Sequence, residues 1–582
     1  MTVSLFSMLS MGSNSLQTQQ ILLNIAGQNV ANAATEGYTR QRADITQRPD
    51  VRIGGLLFGL GSGVDIIERV REDLIDTRFR RENSILGEYT VKSSYLSQIE
   101  DALSEPSTEG IAQAIANYFD SLQELANNPE DMGVRTTVQG YGIELADSIN
   151  QSYDLLNRLR NNMSELIDGT VAEVNRLAEE ISNLNGKIAS LEGGTGTANS
   201  SRDSRDVLLN ELSELVSVEI HNNENGTVNV YLDGYGLVQG VSHNEIDVRI
   251  NPGSGLTGDG SLDIVAVSGG NRPLNIESGT LGGLLEIRDG VITDQVLSDL
   301  EEMTLTIIEE VNRIHSQGQG LVRFDATTSE FAVSDADAVL ESAGLPFSPV
   351  DGTFFLAVYD SQGELVEQHE ITVDADTDTL NTIALQINTE FATSGKLTAT
   401  VTADNQLTIQ TTSTGDTFSF VSDDTQAGDT SDFLLGMGLN AFFTFDPVVG
   451  AAATMAISSI IEENAAFIAA GRSTGAGDNS NALAMAQLRN ESLLGPTGNA
   501  TIEEFFQATL VSLGFTANEA NDRLEIQTGV IDGIANLRDS ISGVSLDEEG
   551  VNIITAQQAY EASARFIAAV NDVLEILLTQ VG

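Results

Sequence analysis

The first 35 residues constrain the fold more than any other stretch, because they lack Asp, Glu, Lys, Arg and His in a chain whose formal net charge is −57. Their apolar residues recur in alternating steps of four and three, the spacing of one α-helical face. Ser, Asn, Gln and Thr fill the other positions, and these side chains can be buried with hydrogen bonds at less cost than a charge. We predict a helix that packs inside an assembly through two adjacent stripes. The first stripe is Leu5, Leu9, Gly12, Leu16, Gln19, Leu23, Ala26 and Val30, and the second is Met8, Met11, Ser15, Thr18, Leu22, Ile25 and Asn29.

The stripes alone leave one alternative open, because a core helix of a monomer can carry the same pattern. A cleaved signal peptide is not predicted, since such peptides have a basic start and a long apolar centre. Membrane insertion is not predicted either, because a span needs about 20 consecutive apolar residues.

The other end of the chain, residues 551–580, predicts a second helix of the same kind. It has few charges, and its apolar residues again form two stripes. One stripe is Ile553, Gln557, Tyr560, Ala564, Ile567, Asn571, Leu574 and Leu578, and the other is Ala559, Ser563, Phe566, Val570, Val573 and Leu577. Each terminal helix needs a wide partner surface, so we predict that the two pair as a coiled coil and bring the chain ends together.

The composition argues against several functional classes. The chain has 28 Lys and Arg against 85 Asp and Glu, so no nucleic-acid partner is expected, because phosphate recognition needs clustered basic residues. We attribute the acidity to solubility and to repulsion between molecules. The lack of cysteine excludes disulfides, thiolate nucleophiles and Cys-based metal sites.

No residue pattern predicts catalysis, a cofactor or a metal site. None of the histidines belongs to a His-Glu-x-x-His pair; they are His221, His243, His315 and His369. Asp374, Asp376 and Asp378 imitate the start of a calcium loop. Thr379 and Leu385, however, stand where such a loop needs Gly and Glu. We interpret Asp378 or its neighbours as the cap of the following helix, with calcium binding left open, and we predict a protein that is not an enzyme.

Helical and strand patterns alternate in blocks, which predicts a mainly α fold with β insertions, built as an elongated multi-domain rod. The predicted helices include the runs 67–103, 133–191, 281–317, 379–391, 479–494 and one beginning at 501. Residues 218–277 and parts of 318–454 alternate apolar with polar residues and break at Gly and Asn, as hairpins do.

These patterns predict an α-helical bundle that carries outward-facing β and α+β domains. The predicted segments are an N-terminal axial helix and extended loop (1–66) that pairs with 543–582, a helical rod domain (67–217, with 281–317 and 455–542), a β-rich domain (218–280), an acidic α+β insert (318–454), the returning helical rod domain (455–542) and a C-terminal axial helix (543–582).

Several motifs resemble signatures of the bacterial flagellar axial proteins and, within that family, of the subunits that join hook to filament. The N-terminal signature includes Asn29, Asn32, Gly37, Tyr38, Arg40 and Gln41, and the C-terminal signature includes Gln557, Gln558, Tyr560 and Glu561. Internal matches are the stretches 59–65, 69–73, 204–215 and 477–484. The resemblance covers roughly residues 1–318 and 455–582, and the segment between them does not carry it.

The resemblance implies a structural subunit of the extracellular flagellum at the hook–filament junction. The implied partners are further copies of the chain, the hook protein, a second junction protein, an export chaperone and the type III export apparatus, which acts without a cleaved signal peptide. The stripes and the signatures together predict an assembly interface of Leu5, Leu9, Leu16, Leu23, Asn29, Val30, Asn32, Gly37, Tyr38, Arg40, Gln41, Gln557, Gln558, Tyr560, Ile567, Leu574, Leu577 and Leu578.

Two alternatives remain open at this point. The chain could be another axial protein, namely the hook protein or the second junction protein. It could also be a secreted adhesin-like protein that binds a ligand through the acidic insert 318–454.

Overall fold

A computed structural model describes residues 2–53, 56–103, 110–194, 196–251, 260–268, 270–420, 428–473, 477–495 and 498–581. Long helices account for most of these residues, and small antiparallel sheets interrupt them. The predicted helical character with β insertions is therefore confirmed.

The N-terminal segment is a long helix followed by a β-ribbon. Its elements are α1 (Thr2–Asn32), β1 (Gln41–Gln47), β2 (Val51–Ile53), β3 (Leu56–Phe58) and β4 (Ser62–Arg69). β1 pairs antiparallel with β4, and β2 pairs with β3 farther along the ribbon. The stretch predicted as an extended loop thus forms a two-stranded ribbon, because β-branched residues such as Ile45, Val64 and Ile66 favour strands between the turn-forming glycines.

Four helices follow the ribbon: α2 (Asp73–Leu103), α3 (Ile111–Asn127), α4 (Met132–Glu192) and α5 (Asn199–Leu215). α4 has 61 residues and is therefore about 90 Å long at the usual helical rise. The predicted long helix 133–191 is confirmed. α2 begins six residues later than the predicted 67, because β4 continues to Arg69.

The β-rich region contains two small antiparallel sheets. The first consists of β5 (Glu219–Asn222), β6 (Val228–Leu232), β7 (Tyr235–Gln239) and β8 (Ser242–His243), paired in that order. The second consists of β9 (Ile246–Ile250), β10 (Leu262–Ala266) and β11 (Arg272–Leu274), with β10 in the centre. The predicted change to β structure near residue 218 is confirmed.

The helix predicted over 281–317 changes its hydrogen-bond pattern along its length. It begins as α6 (Gly279–Leu285), continues as a π-helix (Glu286–Leu297) and ends as α7 (Ser298–His315). In the π segment Arg288 Nε donates to Ser164 Oγ at 2.8 Å, and Asp289 accepts from the Leu262 amide at 3.1 Å. We attribute the wider turns to these tertiary bonds, which hold side chains where a regular α-helix would not place them.

The segment 318–454 forms two three-stranded sheets and short helices. Its elements are β12 (Ala326–Thr328), β13 (Gly352–Tyr359), β14 (Leu365–Val373), α8 (Leu380–Glu390), β15 (Leu397–Val401), β16 (Leu407–Thr411), β17 (Thr417–Ser419), α9 (Phe433–Met437), β18 (Phe443–Thr444) and α10 (Ala451–Thr454). One sheet has the order β14-β13-β17 and the other β12-β16-β15. The predicted hairpin of residues 397–410 is confirmed as β15 and β16.

The remaining elements are β19 (Ala456–Ile457), α11 (Ser459–Glu463), α12 (Ser480–Gln487), α13 (Ile502–Ser542) and α14 (Leu546–Val581). The single helix predicted over 479–494 is wrong, because α12 ends at Gln487 and a short 3-10 turn follows. Leu494 instead forms a β-bridge with Ala500, a tertiary pairing that local sequence does not show.

Two hydrophobic cores organise the molecule. The first core joins α3, the first part of α4, α7 and the strands and helices of the segment 318–454. The second core joins the end of α2, the middle of α4, α5, the β-rich region, α6 and the start of α13. Neither core contains a residue of α1 or α14. Among the helices of the described residues, none combines the length and the hydropathy that crossing a lipid bilayer requires.

Candidate assembly interface

The terminal helices α1 and α14 pack against each other. Ser15 and Ser563 share a hydrogen bond of 2.7 Å across the pair. A Cβ atom added to Gly12 would lie 2.6 Å from Ile567 Cγ1, so only glycine allows the two helices this approach. The chain ends are therefore brought together.

The covered face of α14 lies between the two predicted stripes. Its buried and half-buried residues are Ile553, Ala556, Ala559, Ser563, Ile567, Val570 and Leu574. Small residues in the middle of this row let α1 approach, whereas Gln557, Gln558 and Tyr560 are exposed. Ile567 and Leu574 thus face the partner helix, while the side chains of Leu577 and Leu578 lie outside the described residues.

α1 is covered on two sides, by α14 and by the β-ribbon. Leu5 is buried, and the predicted interface residues Leu9, Leu16 and Leu23 are half-buried. On the ribbon side Asn14 donates from Nδ2 to the Leu60 carbonyl at 2.9 Å. Thr18 of the second predicted stripe donates to the Ser62 carbonyl at 3.3 Å, so polar side chains of α1 bind the ribbon backbone.

An apolar surface of the helix pair remains exposed. Its members on α1 are Phe6, Met8 and Val30, and those on α14 are Val551, Ile554, Tyr560, Phe566, Val573 and Ile576. Ile554 is 56% exposed and Ile576 is 54% exposed. Exposed apolar surface on this scale marks interaction sites in soluble proteins.

The N-terminal signature closes the end of α1. Asn29 Oδ1 accepts hydrogen bonds from the Tyr38 hydroxyl at 2.8 Å and from the Gln41 amide at 3.0 Å. Its Nδ2 donates to the Gln41 carbonyl at 3.0 Å. Asn32 donates to the Gln28 carbonyl at 3.0 Å and stays near the surface. The buried Asn29 side chain thus binds two other residues of the predicted interface, Tyr38 and Gln41.

Gly37 makes the turn that follows α1. Its φ is +74°, a conformation that favours glycine, and an added Cβ would lie 2.3 Å from Val207 Cγ2 on α5. The signature therefore requires glycine for both its backbone angle and its packing.

Arg40 links this turn to the start of α14. Its Nε donates to Glu549 and its Nη1 to Glu548, each at 2.8 Å, and its amide donates to the Ser542 carbonyl at 3.0 Å. Burial, with the nearby carboxylates of Asp203 and Glu549, raises the pKa of Tyr38 to about 12. Neither glutamate is in the predicted interface. The acidic run 547–549 in the C-terminal axial segment was the sequence signal that could have indicated a partner for Arg40.

Behind this turn, arginines and aspartates of four segments form a buried ionic network. Arg69 donates to Asp203 at 2.9 Å and to Asp206 at 2.6 Å. Burial alone would raise the pKa of Asp206, but Arg71, Arg69 and Arg80 outweigh it and leave the pKa below its usual value. Two stretches of the family resemblance, 69–73 and 204–215, therefore meet in space.

The last of the internal matches, 477–484, stabilises a loop. Asp478 accepts from the amides of Arg472, Ser473 and Ser480 at 2.7–2.9 Å. These bonds outweigh the effect of partial burial and lower the pKa of Asp478 to about 2. Asn481 donates to the Ala469 carbonyl at 2.8 Å.

The aspartates 374–378 lie at the start of α8, where Thr379 is the cap and forms a capping box with Thr382. Asp378 supports this turn by accepting from the Asp374 amide at 2.9 Å and from the Thr382 hydroxyl at 3.0 Å. Within the described residues, no group of three or more His, Asp or Glu could hold a metal ion.

Comparison with known families gives two matches along the chain. Residues 96–328 match the model of the flagellar hook-associated protein FlgK helical domain, and residues 538–580 match that of the flagellar basal body rod FlgEFG protein C-terminal region. The first match covers helices of both cores, and the second covers the C-terminal member of the terminal pair.

Curated relatives match along nearly their whole length. The chain is 28% identical to flagellar hook-associated protein 1 of Salmonella typhimurium, covering 98% of this chain and 99% of the relative. It is 27% identical to the protein of that name from Escherichia coli, with the same coverage. The Bacillus subtilis protein of that name is 24% identical, covering 100% of this chain and 99% of the relative.

A solved structure shares the fold. It is that of the flagellar hook junction protein FlgK from Burkholderia pseudomallei, with a TM-score of 0.52, 16% sequence identity, and coverage of 80% of this chain and 100% of the solved chain. The domain match, the full-length relatives and the shared fold agree with the signatures at the chain ends. The chain is therefore similar, along nearly its whole length, to the proteins named flagellar hook-associated protein 1 (FlgK).

Proposed function

We propose that the chain is a structural subunit of the junction between the flagellar hook and the flagellar filament. It assembles there with copies of itself, with the hook protein and with the second junction protein. The names of the full-length relatives and of the solved structure support this proposal. Those full-length matches do not favour an adhesin or another axial protein.

The observation that carries the proposal is the exposed apolar surface of the α1–α14 pair. Each terminal helix covers one face with the other helix and leaves further apolar side chains exposed to water. Burying them gains about 25 cal/mol per Å² of apolar area, so neighbouring subunits that cover this surface stabilise the assembled state. The residues of the predicted assembly interface lie on these two helices and in the segment 37–41 that follows α1.

The layered arrangement follows from the same pair. The α1–α14 pair forms a coiled coil in the inner layer of a tubular assembly, and the helical rod domain (67–217, 281–317 and 455–542) forms the next layer. The β-rich domain (218–280) and the acidic insert (318–454) face outward. The restriction of both hydrophobic cores to residues outside α1 and α14 supports this division.

Export follows the route of the family. The chain passes unfolded through the flagellar type III apparatus, and a cytoplasmic chaperone holds α14 by its apolar stripes in a groove. A chain without cysteine suits this route, since no disulfide has to form or break during threading.

The test places a charge on the exposed apolar surface. Ile554→Asp and Ile576→Asp change residues that are already solvent-exposed in the single chain, so the fold should persist while subunit contacts are lost. Each variant is expressed in cells that lack their own junction protein. Swimming and immunogold labelling at the distal end of the hook are the measurements.

We expect wild-type chain to label the distal end of the hook and both variants to abolish the label and the swimming. Val241→Asp is the matched control, because Val241 is 60% exposed in the β-rich region, away from the terminal pair. Normal assembly of both Ile variants would overturn the interface, and wild-type label elsewhere on the flagellum would overturn the junction assignment.

A further inference from the structure

A polar cavity of about 290 Å³ lies where the base of the β-ribbon meets α2, α5 and the first sheet of the β-rich region. Five arginines line it, and they are Arg69, Arg71, Arg80, Arg202 and Arg205. Three carboxylates also line it, those of Asp73, Asp76 and Asp206. A concentration of arginines in a chain with a net charge of −57 calls for a physical reason.

Four of the five arginines have carboxylate partners. Asp206 pairs with Arg69, Arg71 and Arg80. Arg69 also pairs with Asp203, and Arg71 also pairs with Asp76. Arg202 binds Glu192 through two nitrogens, at 2.7 Å and 2.6 Å. These pairs satisfy the rule that buried charges are matched by opposite charges.

Arg205 does not follow that rule. The residue is 3% exposed, and its Nη1 donates only to neutral acceptors, Asn185 Oδ1 and the Gly226 carbonyl, each at 2.8 Å. Among the described residues no carboxylate forms an ion pair with it, and its Nε has no acceptor. Burial lowers the pKa of Arg205 to about 10, an effect that the carboxylates of Asp206 and Glu192, which do not bond to it directly, only partly offset.

A second donor at the cavity is also unused. Arg71 donates from Nε to Asp76 at 2.7 Å and from Nη1 to Asp206, but its buried Nη2 has no acceptor among the described residues. The cavity is thus lined by two buried guanidinium groups that each retain an unsatisfied N–H. Buried donors of this kind destabilise a protein unless an acceptor is supplied.

We propose that this cavity binds a small oxyanion of the phosphate or sulfate class, held by Arg205 and Arg71. Planar guanidinium groups suit such anions, because their N–H pairs match two oxygens at once. The bound anion supplies the missing counter-charge of Arg205. It ties together the ribbon, α2, α5 and the β5–β6 hairpin, so it stabilises the joint that carries the N-terminal signature. The site is independent of the assembly function proposed above.

The test measures binding of inorganic phosphate and of sulfate to the full-length chain by calorimetry and by thermal unfolding. Ionic strength is held constant with sodium chloride, which separates site binding from general salt effects. We expect saturable binding with a rise in melting temperature, and at least a tenfold weaker affinity in Arg205→Gln. Arg249→Gln is the matched control, since Arg249 is half-exposed on β9 and does not line the cavity.

Absence of saturable binding to the wild-type chain would overturn the proposal. Equal stabilisation of the wild type and of Arg205→Gln would overturn it too, because the anion would then act elsewhere. If Arg205→Gln does not fold, crystals of the wild type soaked in selenate decide the matter. Anomalous density between Arg71 and Arg205 supports the site, and its absence at full soak concentration refutes it.

Discussion

Single residues in this molecule show where buried polar groups are matched and where they are not. Asn29 satisfies its amide with the hydroxyl of Tyr38 and the backbone of Gln41. Tyr118, in contrast, is fully buried, and its hydroxyl has no partner among the described residues. Because an unmatched buried group lowers stability, such positions allow direct predictions.

Tyr118→Phe should raise the free energy of unfolding by about 1 kcal/mol, because it removes the unpartnered hydroxyl and keeps the ring. The ring packs against Phe119, Phe442 and Phe443 with centroid distances of 5.3–5.5 Å. Urea unfolding followed by circular dichroism measures the effect. Tyr118→Ala is the companion variant and should lose about 3–5 kcal/mol. A loss above 1 kcal/mol in Tyr118→Phe would show that the hydroxyl has a partner.

His315 should make stability fall in weak acid. Its Nδ1 donates to the Asn440 carbonyl, its Nε2 accepts from the Ala469 amide, both at 2.8 Å, and burial lowers the pKa of His315 to about 4. The unfolded chain, with a histidine pKa near 6.5, binds the proton first as pH falls. The contribution of neutral His315 to stability is therefore complete above about pH 6.5 and decreases as the pH falls towards 4. The loss at pH 4 amounts to about 3 kcal/mol.

The measurement is the free energy of unfolding at several pH values between 4 and 7 for wild type and His315→Gln. The wild type should show the steeper dependence over this interval. His221→Gln is the control, because the His221 side chain is 62% exposed and should leave the wild-type profile unchanged. Identical slopes in wild type and His315→Gln would contradict the prediction.

At the scale of elements, helix faces decide which segments meet. α13 packs against α2 through a row of residues spaced by three and four, all of them buried or half-buried: Leu513, Ala517, Ala520, Leu524, Gln527, Ile531 and Ile534. The terminal pair differs from the predicted pattern, since α14 contacts α1 through a row of residues that lies between the two stripes predicted on α14. Gly12 lies against Ile567 and Phe566 of α14, so its lack of a side chain controls how the two helices fit together.

Gly12→Leu should separate α1 from α14 and abolish incorporation into flagella, because the new side chain would occupy the space of Ile567. Incorporation is measured by immunogold labelling. Gly27→Leu is the matched control on the same helix, since an added Cβ there meets no atom within 4 Å. Assembly of Gly12→Leu at the wild-type level would contradict the pairing as the basis of assembly.

At the scale of the whole molecule, the two folding cores and the proposed assembly surface consist of different residues. Both hydrophobic cores lie outside the terminal helices, which touch the remainder through the ribbon, the α1 turn and Arg40. The body of the protein can therefore fold before the termini reach their partners in the assembly. This separation is compatible with the proposal that the chain is exported before it polymerises.

Removal of residues 546–582 should leave a soluble, folded chain that does not join flagella. Because neither core loses a residue, we expect the melting temperature to change by less than about 3 °C. Leu513→Asp is the control for the thermal assay, since a charge in the second core should lower the melting temperature strongly. Incorporation of the truncated chain into the hook–filament junction would refute the assembly proposal.

Much of the fold was predictable because periodicity is local. The long helix α4, the α13 row, the hairpin of β15 and β16 and the capping box of Thr501 with Glu504 all follow from the spacing of nearby residues. The errors arise where distant contacts override local preference. The end of α12 depends on the bridge between Leu494 and Ala500, and the π-helix depends on bonds from Arg288 and Asp289 to other segments.

The uncharged N-terminal stripes, the sparsely charged C-terminal stripes, the helical body and the signatures of the axial family are visible in the order of the amino acids, because charge and periodicity are properties of neighbouring residues. Tertiary structure alone decided which face of α14 meets α1, which glutamates receive Arg40, and which arginine is left without a counter-ion at the ribbon base. These outcomes depend on contacts between residues far apart in the chain. Their geometry is defined only when the packed helices bring those residues within hydrogen-bond distance.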